Sequence, residues 1–316
     1  MFRTDYNNEV VVVAVDHGYG NMKGTDFCFP SGVVAYDDEP TFNQDVLLYE
    51  GKYYQIGAEH KEFQSNKIMD EDYYILTLAA IACELKRHGR TEANVHLAVG
   101  LPLTWVSEQK VAFKDYLLQK EDVDFSFHGE NYQVHLVGAD VFPQGFAAVA
   151  GKLKSFHGVN MLVDIGNGTM NIMYINNGRP VEKKCYTEKY GTNQCVMAVR
   201  ESVLKQFGKI IDDTVIQQVL RYGTAEISER YLEAIRETAK VYVSGIFRKL
   251  REKEYDPELM RLYVVGGGGC LIENFANYDL DRVYIEKDIC ATAKGFAMLS
   301  KRRLQKEGVK VCERKH

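Results

Sequence analysis

One short pattern occurs twice in the sequence, and it constrains the fold more than any other feature. The first copy begins at Asp16 and the second at Asp164, and both read D-x-G-x-G-x-M. Each copy directly follows an apolar run that is typical of a buried strand, at residues 10–15 and 161–163. The two aspartates are 148 positions apart, close to half of the 316-residue chain. One copy alone is typical of an ordinary turn, whereas two copies in equivalent settings predict two similar halves that face one another.

The residues of the repeated pattern suit nucleotide phosphates. A glycine-rich turn between two strands exposes successive backbone N–H groups that can surround phosphate oxygens, and glycine permits the close approach. Asp16 and Asp164 place a carboxylate at the end of each strand, where they can hold Mg²⁺ directly or through water. Lys23 can reach a β- or γ-phosphate as a point charge, and Thr169 can offer its hydroxyl to a phosphate. The alternative is that both copies are ordinary β-hairpins whose Asp and Gly residues only form turns.

A run of four glycines, Gly266, Gly267, Gly268 and Gly269, lies between a predicted strand at 262–265 and a predicted helix at 271–275. Such a backbone lets an adenine ring or a ribose lie flat on it, with phosphates near the helix N-terminus. The alternative is a flexible connector. No G-x-x-x-x-G-K-[ST] motif occurs, so the sequence excludes a P-loop enzyme, and Pro30 stands where a dinucleotide-binding fold would need a helix.

Composition and charge narrow the function classes further. Hydrophobic residues make up 46% and charged residues 26%, which is typical of a globular protein and excludes wholesale disorder. The net charge of −5 argues against direct nucleic-acid binding as the main activity. Seven cysteines without a C-x-x-C pair argue against a disulfide framework or a zinc ribbon. The sequence shows neither a signal peptide nor a membrane-spanning run, so we expect a cytoplasmic protein without a membrane anchor.

The last 16 residues are basic, with seven Lys or Arg residues against two Glu residues. The simplest expectation is a solvated helix end followed by a frayed terminus. The alternative is a patch that touches DNA, an acidic adaptor or a neighbouring subunit.

Taken together, these motifs resemble those of the actin-like ATPase superfamily. The matching segments, in the order of that family, are the first phosphate loop (Asp16–Lys23), the first connecting segment (Phe142–Gly151), the second phosphate loop (Asp164–Thr169), the adenosine motif (Val264–Gly269) and the second connecting segment (Ala291–Gly295). Within the superfamily the sequence looks most like the ParM/StbA group of bacterial plasmid-segregation proteins. Three details carry that likeness: Gly-Asn-x-Lys at 20–23, Phe-Pro-Ser at 29–31 and Pro-Gln-Gly at 143–145.

The resemblance implies an α/β, actin-like fold of two related lobes, each with a ribonuclease-H-like mixed sheet, and a nucleotide in the cleft between them. Lobe I would contain residues 1–157, with a small insertion subdomain at about 33–90. Lobe II would contain residues 158–288. Residues 289–316 would form a C-terminal helix that returns to lobe I, followed by the basic tail.

The resemblance also implies a role for each motif. Gln144 falls where the family carries a Glu or Gln that orients the attacking water, and Asp16 and Asp164 would organise this water and Mg²⁺, the metal through water. The phosphates would contact Gly18, Tyr19, Gly20, Asn21 and Lys23 from one lobe and Gly166, Asn167, Gly168 and Thr169 from the other. Gly266, Gly267, Gly268 and Gly269 would line the adenosine. We interpret His17 as a backbone contributor rather than a catalyst, and the segment at 190–193 as the approach to the ribose.

The implied function is a Mg-dependent ATPase that polymerises into dynamic filaments and segregates plasmid DNA in the bacterial cytoplasm. Its nucleotide would be ATP, with GTP as an alternative. Its partners would be further copies of itself and a DNA-binding adaptor of the ParR type on a centromere-like plasmid site, with no direct sequence-specific nucleic-acid binding and no membrane. Two alternatives are a sugar-type small-molecule kinase of the same superfamily and a non-motile actin-like scaffold. The first would need a substrate base and longer insertions, and the second an amphipathic terminal helix.

Overall fold

The computed structural model describes residues 9–41, 44–58 and 71–313. The chain forms two compact units. Unit 1 contains the residues up to Ala150 and those from Cys290 onward, and unit 2 contains Gly151–Ile289. Within the described residues, no helix is both long and apolar enough to cross a membrane.

Both units contain strands and helices. The strands are β1 (Glu9–His17), β2 (Asn21–Lys23), β3 (Cys28–Pro30), β4 (Val33–Tyr36), β5 (Val46–Tyr49), β6 (Lys52–Ile56), β7 (Glu92–Leu101), β8 (Asp122–Phe127), β9 (Glu130–Pro143), β10 (Val159–Ile165), β11 (Met170–Asn176), β12 (Arg179–Glu188), β13 (Arg261–Val265), β14 (Val283–Ile285) and β15 (Lys310–Val311). The helices are α1 (Asp72–Arg87), α2 (Leu103–Leu117), α3 (Phe146–Val149), α4 (Thr192–Phe207), α5 (Asp213–Tyr222), α6 (Glu229–Glu252), α7 (Gly269–Phe275) and α8 (Ala291–Lys306).

Unit 1 is built on a mixed sheet in the order β3-β2-β1-β7-β9-β8-β5-β6-β4, with β15 also paired to β1. The apolar run in β1 is explained by burial on both faces of this sheet. Val11, Val13 and Val15 pack in the core that contains α1. Val12 and Ala14 lie in a second core with Phe296 and other residues of α8. A strand covered on both sides needs apolar residues at every position rather than at alternate ones.

Unit 2 is built on a smaller mixed sheet in the order β12-β11-β10-β13-β14. Its helices supply the apolar residues that cover the sheet, from α4, α5, α6 and α7. The strand β10 pairs antiparallel with β11 and parallel with β13, as β1 pairs antiparallel with β2 and parallel with β7. The predicted α/β fold with a mixed sheet in each half is therefore confirmed.

The C-terminal segment differs from the sequence-based expectation of a frayed end. The helix α8 continues to Lys306, and Lys310–Val311 then pair in parallel with Glu9–Val10 of β1. The Cys312 N–H donates to the Val10 carbonyl oxygen (2.9 Å), and the Cys312 side chain is buried. The sequence pattern did not indicate this strand, because its pairing partner lies 301 positions earlier in the chain. Residues 314–316 of the tail lie outside the described part of the chain.

Candidate functional site

The first turn of the repeated pattern lies at the end of β1, in unit 1. Asp16 is buried at 7% exposure, and the Gly18 N–H donates to its carbonyl oxygen (3.0 Å). A Cβ at Gly18 would lie 2.5 Å from the Asn21 carbonyl oxygen, so the tight return into β2 requires glycine at this position. The pairing of β1 with β2 places Lys23 directly opposite Asp16.

Two of the residues singled out from the sequence, Lys23 and Gln144, contact Asp16 here. The Lys23 ammonium lies 3.0 Å from Asp16 Oδ2, and Gln144 Nε2 donates to Asp16 Oδ1 (2.9 Å). Gln144 directly follows β9, and its N–H donates to the carbonyl oxygen of Leu101 at the end of β7 (2.8 Å). The neighbouring ends of β7 and β9 therefore place the Gln144 amide beside the Asp16 carboxylate.

The donor set of this turn fits a magnesium ion that keeps most of its water. Asp16 supplies hard carboxylate oxygens, and Gln144 supplies an amide. Among the described residues, no group of three or more His, Cys, Asp or Glu side chains could hold a metal ion alone. Mg²⁺ is usually held by one or two carboxylates together with nucleotide phosphates and water rather than by an all-protein cage. The Asp16 carboxylate is compatible with this mode of binding.

The His17 side chain points into the helical core of unit 1. Its Nε2 lies 2.8 Å from Thr77 Oγ1, and this hydroxyl donates to the Tyr73 carbonyl oxygen (2.6 Å). Because the one hydroxyl proton is used there, we assign a proton to His17 Nε2, which donates to the hydroxyl. The ring also meets Tyr73 and Phe113 edge-on, with centroids 5.8 and 5.5 Å away. This placement anchors the turn to α1 and α2.

The second turn lies at the end of β10, in unit 2. The Gly166 N–H donates to the Thr169 carbonyl oxygen (2.8 Å), which closes the turn. The start of α4 lies against it: the Thr192 N–H donates to the Gly166 carbonyl oxygen (3.0 Å) and the Asn193 N–H to the Asn167 carbonyl oxygen (2.9 Å). The segment that sequence analysis assigned to the ribose therefore supports the second turn.

The run of four glycines packs beside the second turn. Gly266 has a φ of +85°, and a Cβ on it would lie 2.5 Å from Asp164 Oδ1. A Cβ on Gly268 would lie 2.2 Å from a methyl carbon of Ile165. Gly267, by contrast, has open space at its Cβ position. Two of the glycines are thus required by close packing on β10, and Gly267 is the one whose surroundings leave room for a ligand.

Sequence reasoning missed the supports behind both turns. In the sequence, Ser31 was noted only as part of the Phe-Pro-Ser motif. In the structure, its hydroxyl donates to the Tyr19 carbonyl oxygen (2.7 Å). In unit 2, the Tyr242 hydroxyl donates to the Gly191 carbonyl oxygen (2.7 Å), directly before α4. The Phe-Pro-Ser motif at 29–31 could have drawn attention to Ser31. Tyr242 lies within the long helix α6, and no sequence motif marks it as a support of the turn.

Two family models match the sequence. The model of the N-terminal domain of actin-like proteins matches residues 14–146. The model of the C-terminal domain of the archaeal MreB-like actin homologues matches residues 162–277. The chain therefore belongs to the actin-like protein superfamily, as the motifs implied.

Several solved actin homologues share the fold. An archaeal actin homologue, Ta0583, in complex with ADP is 21% identical, with a TM-score of 0.71 over 92% of this chain and 99% of that one. A non-polymerisable quadruple mutant of pCBH ParM is 19% identical, with a TM-score of 0.72 over 93% and 100%. The Alp12 filament structure is 14% identical, with a TM-score of 0.68 over 93% and 99%. A comparison with curated proteins gave no match.

Proposed function

We propose that this protein is a Mg-dependent ATPase whose nucleotide cycle drives the assembly and disassembly of filaments. The observation that carries the proposal is the repeated turn, which ends the corresponding strand of two mixed sheets. In the first copy its aspartate is hydrogen-bonded to the glutamine that the resemblance assigns to water positioning. The neighbour with bound ADP supports a nucleotide as the ligand.

The phosphates are bound by the two turns. In unit 1 the backbone at 18–21 and the Lys23 ammonium contact them, and in unit 2 the turn at 166–169 does so. Asp16 and Asp164 would hold Mg²⁺ through water, and the ion would supply charge neutralisation at the phosphates. The segment at 266–269 lines the adenosine.

Gln144 positions the attacking water. Because its Nε2 is bonded to Asp16, its amide oxygen faces another direction and can accept a hydrogen bond from water. A neutral amide orients water without removing its proton, so slow hydrolysis is expected.

The finer biological role follows from the ParM likeness. Self-association is supported by the Alp12 filament structure. We propose that the filaments segregate plasmid DNA in the bacterial cytoplasm through an adaptor of the ParR type, with ATP or GTP as the fuel. We also retain lobe I (1–157), lobe II (158–288) and the C-terminal helix with its tail (289–316) as the proposed domains.

Light scattering and electron microscopy of the purified protein with ATP, ADP or no nucleotide test this proposal. We expect polymers that form with ATP and disappear as phosphate is released. Asp164→Ala should lose both hydrolysis and reversible assembly, whereas Asp281→Ala, which removes an exposed aspartate of the same unit, should lose neither. Absence of nucleotide-dependent polymers across salt and protein concentration would refute the filament function.

A further inference from the structure

Ser31 lies directly behind the first turn and is fully buried, at 0% exposure. The pairing of β2 with β3 places Pro30 opposite Asn21, so the next residue, Ser31, arrives beside Gly20. Its hydroxyl donates to the Tyr19 carbonyl oxygen (2.7 Å), and its N–H donates to the Gly20 carbonyl oxygen (3.2 Å). One residue thus holds two consecutive carbonyl groups of the turn.

The first of these bonds fixes the direction of the Gly20 N–H. The Tyr19 carbonyl and the Gly20 N–H belong to the same peptide group, which is trans. In a trans peptide the C=O and the N–H point in opposite directions. Since Ser31 holds the oxygen toward the protein interior, the Gly20 N–H points away from Ser31.

The second turn shows the same arrangement with a different donor. The Asn193 N–H donates to the Asn167 carbonyl oxygen (2.9 Å), and this peptide ends in the N–H of Gly168. Gly20 and Gly168 are the second glycines of the two copies of D-x-G-x-G. In both units the amide at this position therefore points away from the donor that holds the preceding carbonyl oxygen.

We propose that Ser31 is a positioning residue for the nucleotide phosphates: it holds the Tyr19–Gly20 peptide so that the Gly20 N–H faces a phosphate oxygen. The role rests on the proposed ATPase function, and Ser31 acts through the turn rather than by touching the nucleotide. Without the hydroxyl, the Tyr19 carbonyl loses a buried donor and the peptide is free to rotate. A rotated peptide presents its carbonyl oxygen to the phosphates, and two electronegative oxygens repel each other.

The test compares Ser31→Ala with Ser300→Ala. Ser300 is also 0% exposed and lies in the same unit, and its hydroxyl donates to Asp140 Oδ2 (2.8 Å). Both variants therefore delete one buried hydroxyl and one hydrogen bond. The readouts are the Kd for Mg-ATP, the kcat and KM of hydrolysis, the melting temperature, and amide hydrogen exchange of residues 18–21 without nucleotide.

We expect both variants to melt at lower temperature, and only Ser31→Ala to lose nucleotide affinity. Its Kd and KM for ATP should rise about 5- to 30-fold, the loss expected for one buried hydrogen bond, while kcat changes less than about twofold. Exchange at residues 18–21 should become at least about fivefold faster in Ser31→Ala alone. If Ser31→Ala does not fold, Ser31→Cys keeps the shape with a weak donor, and the same order of effects should appear at smaller size.

Two results separate failure of this role from failure of the proposed function. Equal ATP affinity and equal exchange in Ser31→Ala and Ser300→Ala, with normal binding by the wild type, overturn the Ser31 role alone. A wild-type protein that binds neither ATP nor ADP overturns the ATPase function and the Ser31 role together.

Discussion

The Asp16 carboxylate holds two partners at the end of β1, the Lys23 ammonium at 3.0 Å and the Gln144 amide at 2.9 Å. The amide contributes to the proposed hydrolysis by positioning water, and it carries no charge that the nucleotide needs for binding. We therefore expect Gln144→Ala to bind ATP and to assemble, but to hydrolyse ATP about 100-fold more slowly. Its polymers should persist correspondingly longer, as measured by phosphate release and by the decay of light scattering.

Gln133→Ala is the matched control for this residue. Gln133 lies on the same strand, β9, with its side chain exposed, so its loss should leave hydrolysis unchanged. A wild-type rate of phosphate release in Gln144→Ala would show that another group positions the water.

Among the elements, α8 is attached to the sheet of unit 1 by a buried carboxylate in addition to its apolar packing. Asp140 on β9 accepts hydrogen bonds from Ser300 Oγ (2.8 Å) and Arg303 Nε (3.1 Å) on α8. Near its other end, α8 packs so closely on α3 that a Cβ at Gly295 would lie 2.0 Å from the Ala147 carbonyl oxygen. The helix α3 begins two residues after Gln144.

The Asp140 pKa makes the attachment of α8 sensitive to acid. Burial alone would raise this pKa, but hydrogen bonds from His96 and Ser300 and the charge of Arg303 outweigh it and hold the pKa below its ordinary value. The stabilisation is therefore complete above the unfolded-state pKa of about 4 and is lost as pH falls through the lower folded-state pKa. We expect Asp140→Asn to reduce the free energy of unfolding by about 1–3 kcal/mol at pH 7.

Urea unfolding at pH 7 and at pH values below 4 checks this expectation. The difference between wild type and Asp140→Asn should shrink on acidification, because the wild-type carboxyl then becomes neutral as well. Asp115→Asn, at an exposed position of α2, provides the control. An Asp140→Asn deficit that stays constant with pH would mean that packing, rather than the charge, holds α8.

The sequence predicted those elements whose pattern is local. Residues 10–15 predicted a strand buried on both faces, and the two D-x-G-x-G copies predicted a turn at the end of each central strand. The features that the sequence did not predict depend on partners far away along the chain. The strand β15 forms by pairing in parallel with β1, which lies at the other end of the sequence. Likewise, no local pattern brings Ser31 to the Tyr19 carbonyl, because the β2–β3 pairing does so. The contact between Asp16 and Gln144, 128 positions apart, was likewise accessible only through the family resemblance.

At the scale of the whole molecule, charge is distributed unevenly. The chain carries a net −5, while its last 16 residues hold seven basic and two acidic side chains. Arg302 and Lys306 are exposed on α8, ahead of the ordered strand β15. A local basic segment on an acidic protein attracts phosphate backbones at low salt, and contacts with phosphates carry no sequence information. DNA is therefore expected to be reached through a partner.

Mobility shifts with two unrelated duplexes at 50 and 200 mM salt test this expectation. With three neutralised phosphates, the salt slope predicts that any affinity falls about 40-fold between these concentrations, and it should be equal for both duplexes. The pair Arg302→Glu and Lys306→Glu should abolish the binding. The matched pair Lys110→Glu and Lys114→Glu, at exposed positions of α2 with the same spacing, should change it little, because the local field at the tail stays intact. Salt-resistant binding that prefers one duplex would instead show that this chain recognises DNA sequence directly. The proposed adaptor would then be unnecessary for locating the plasmid.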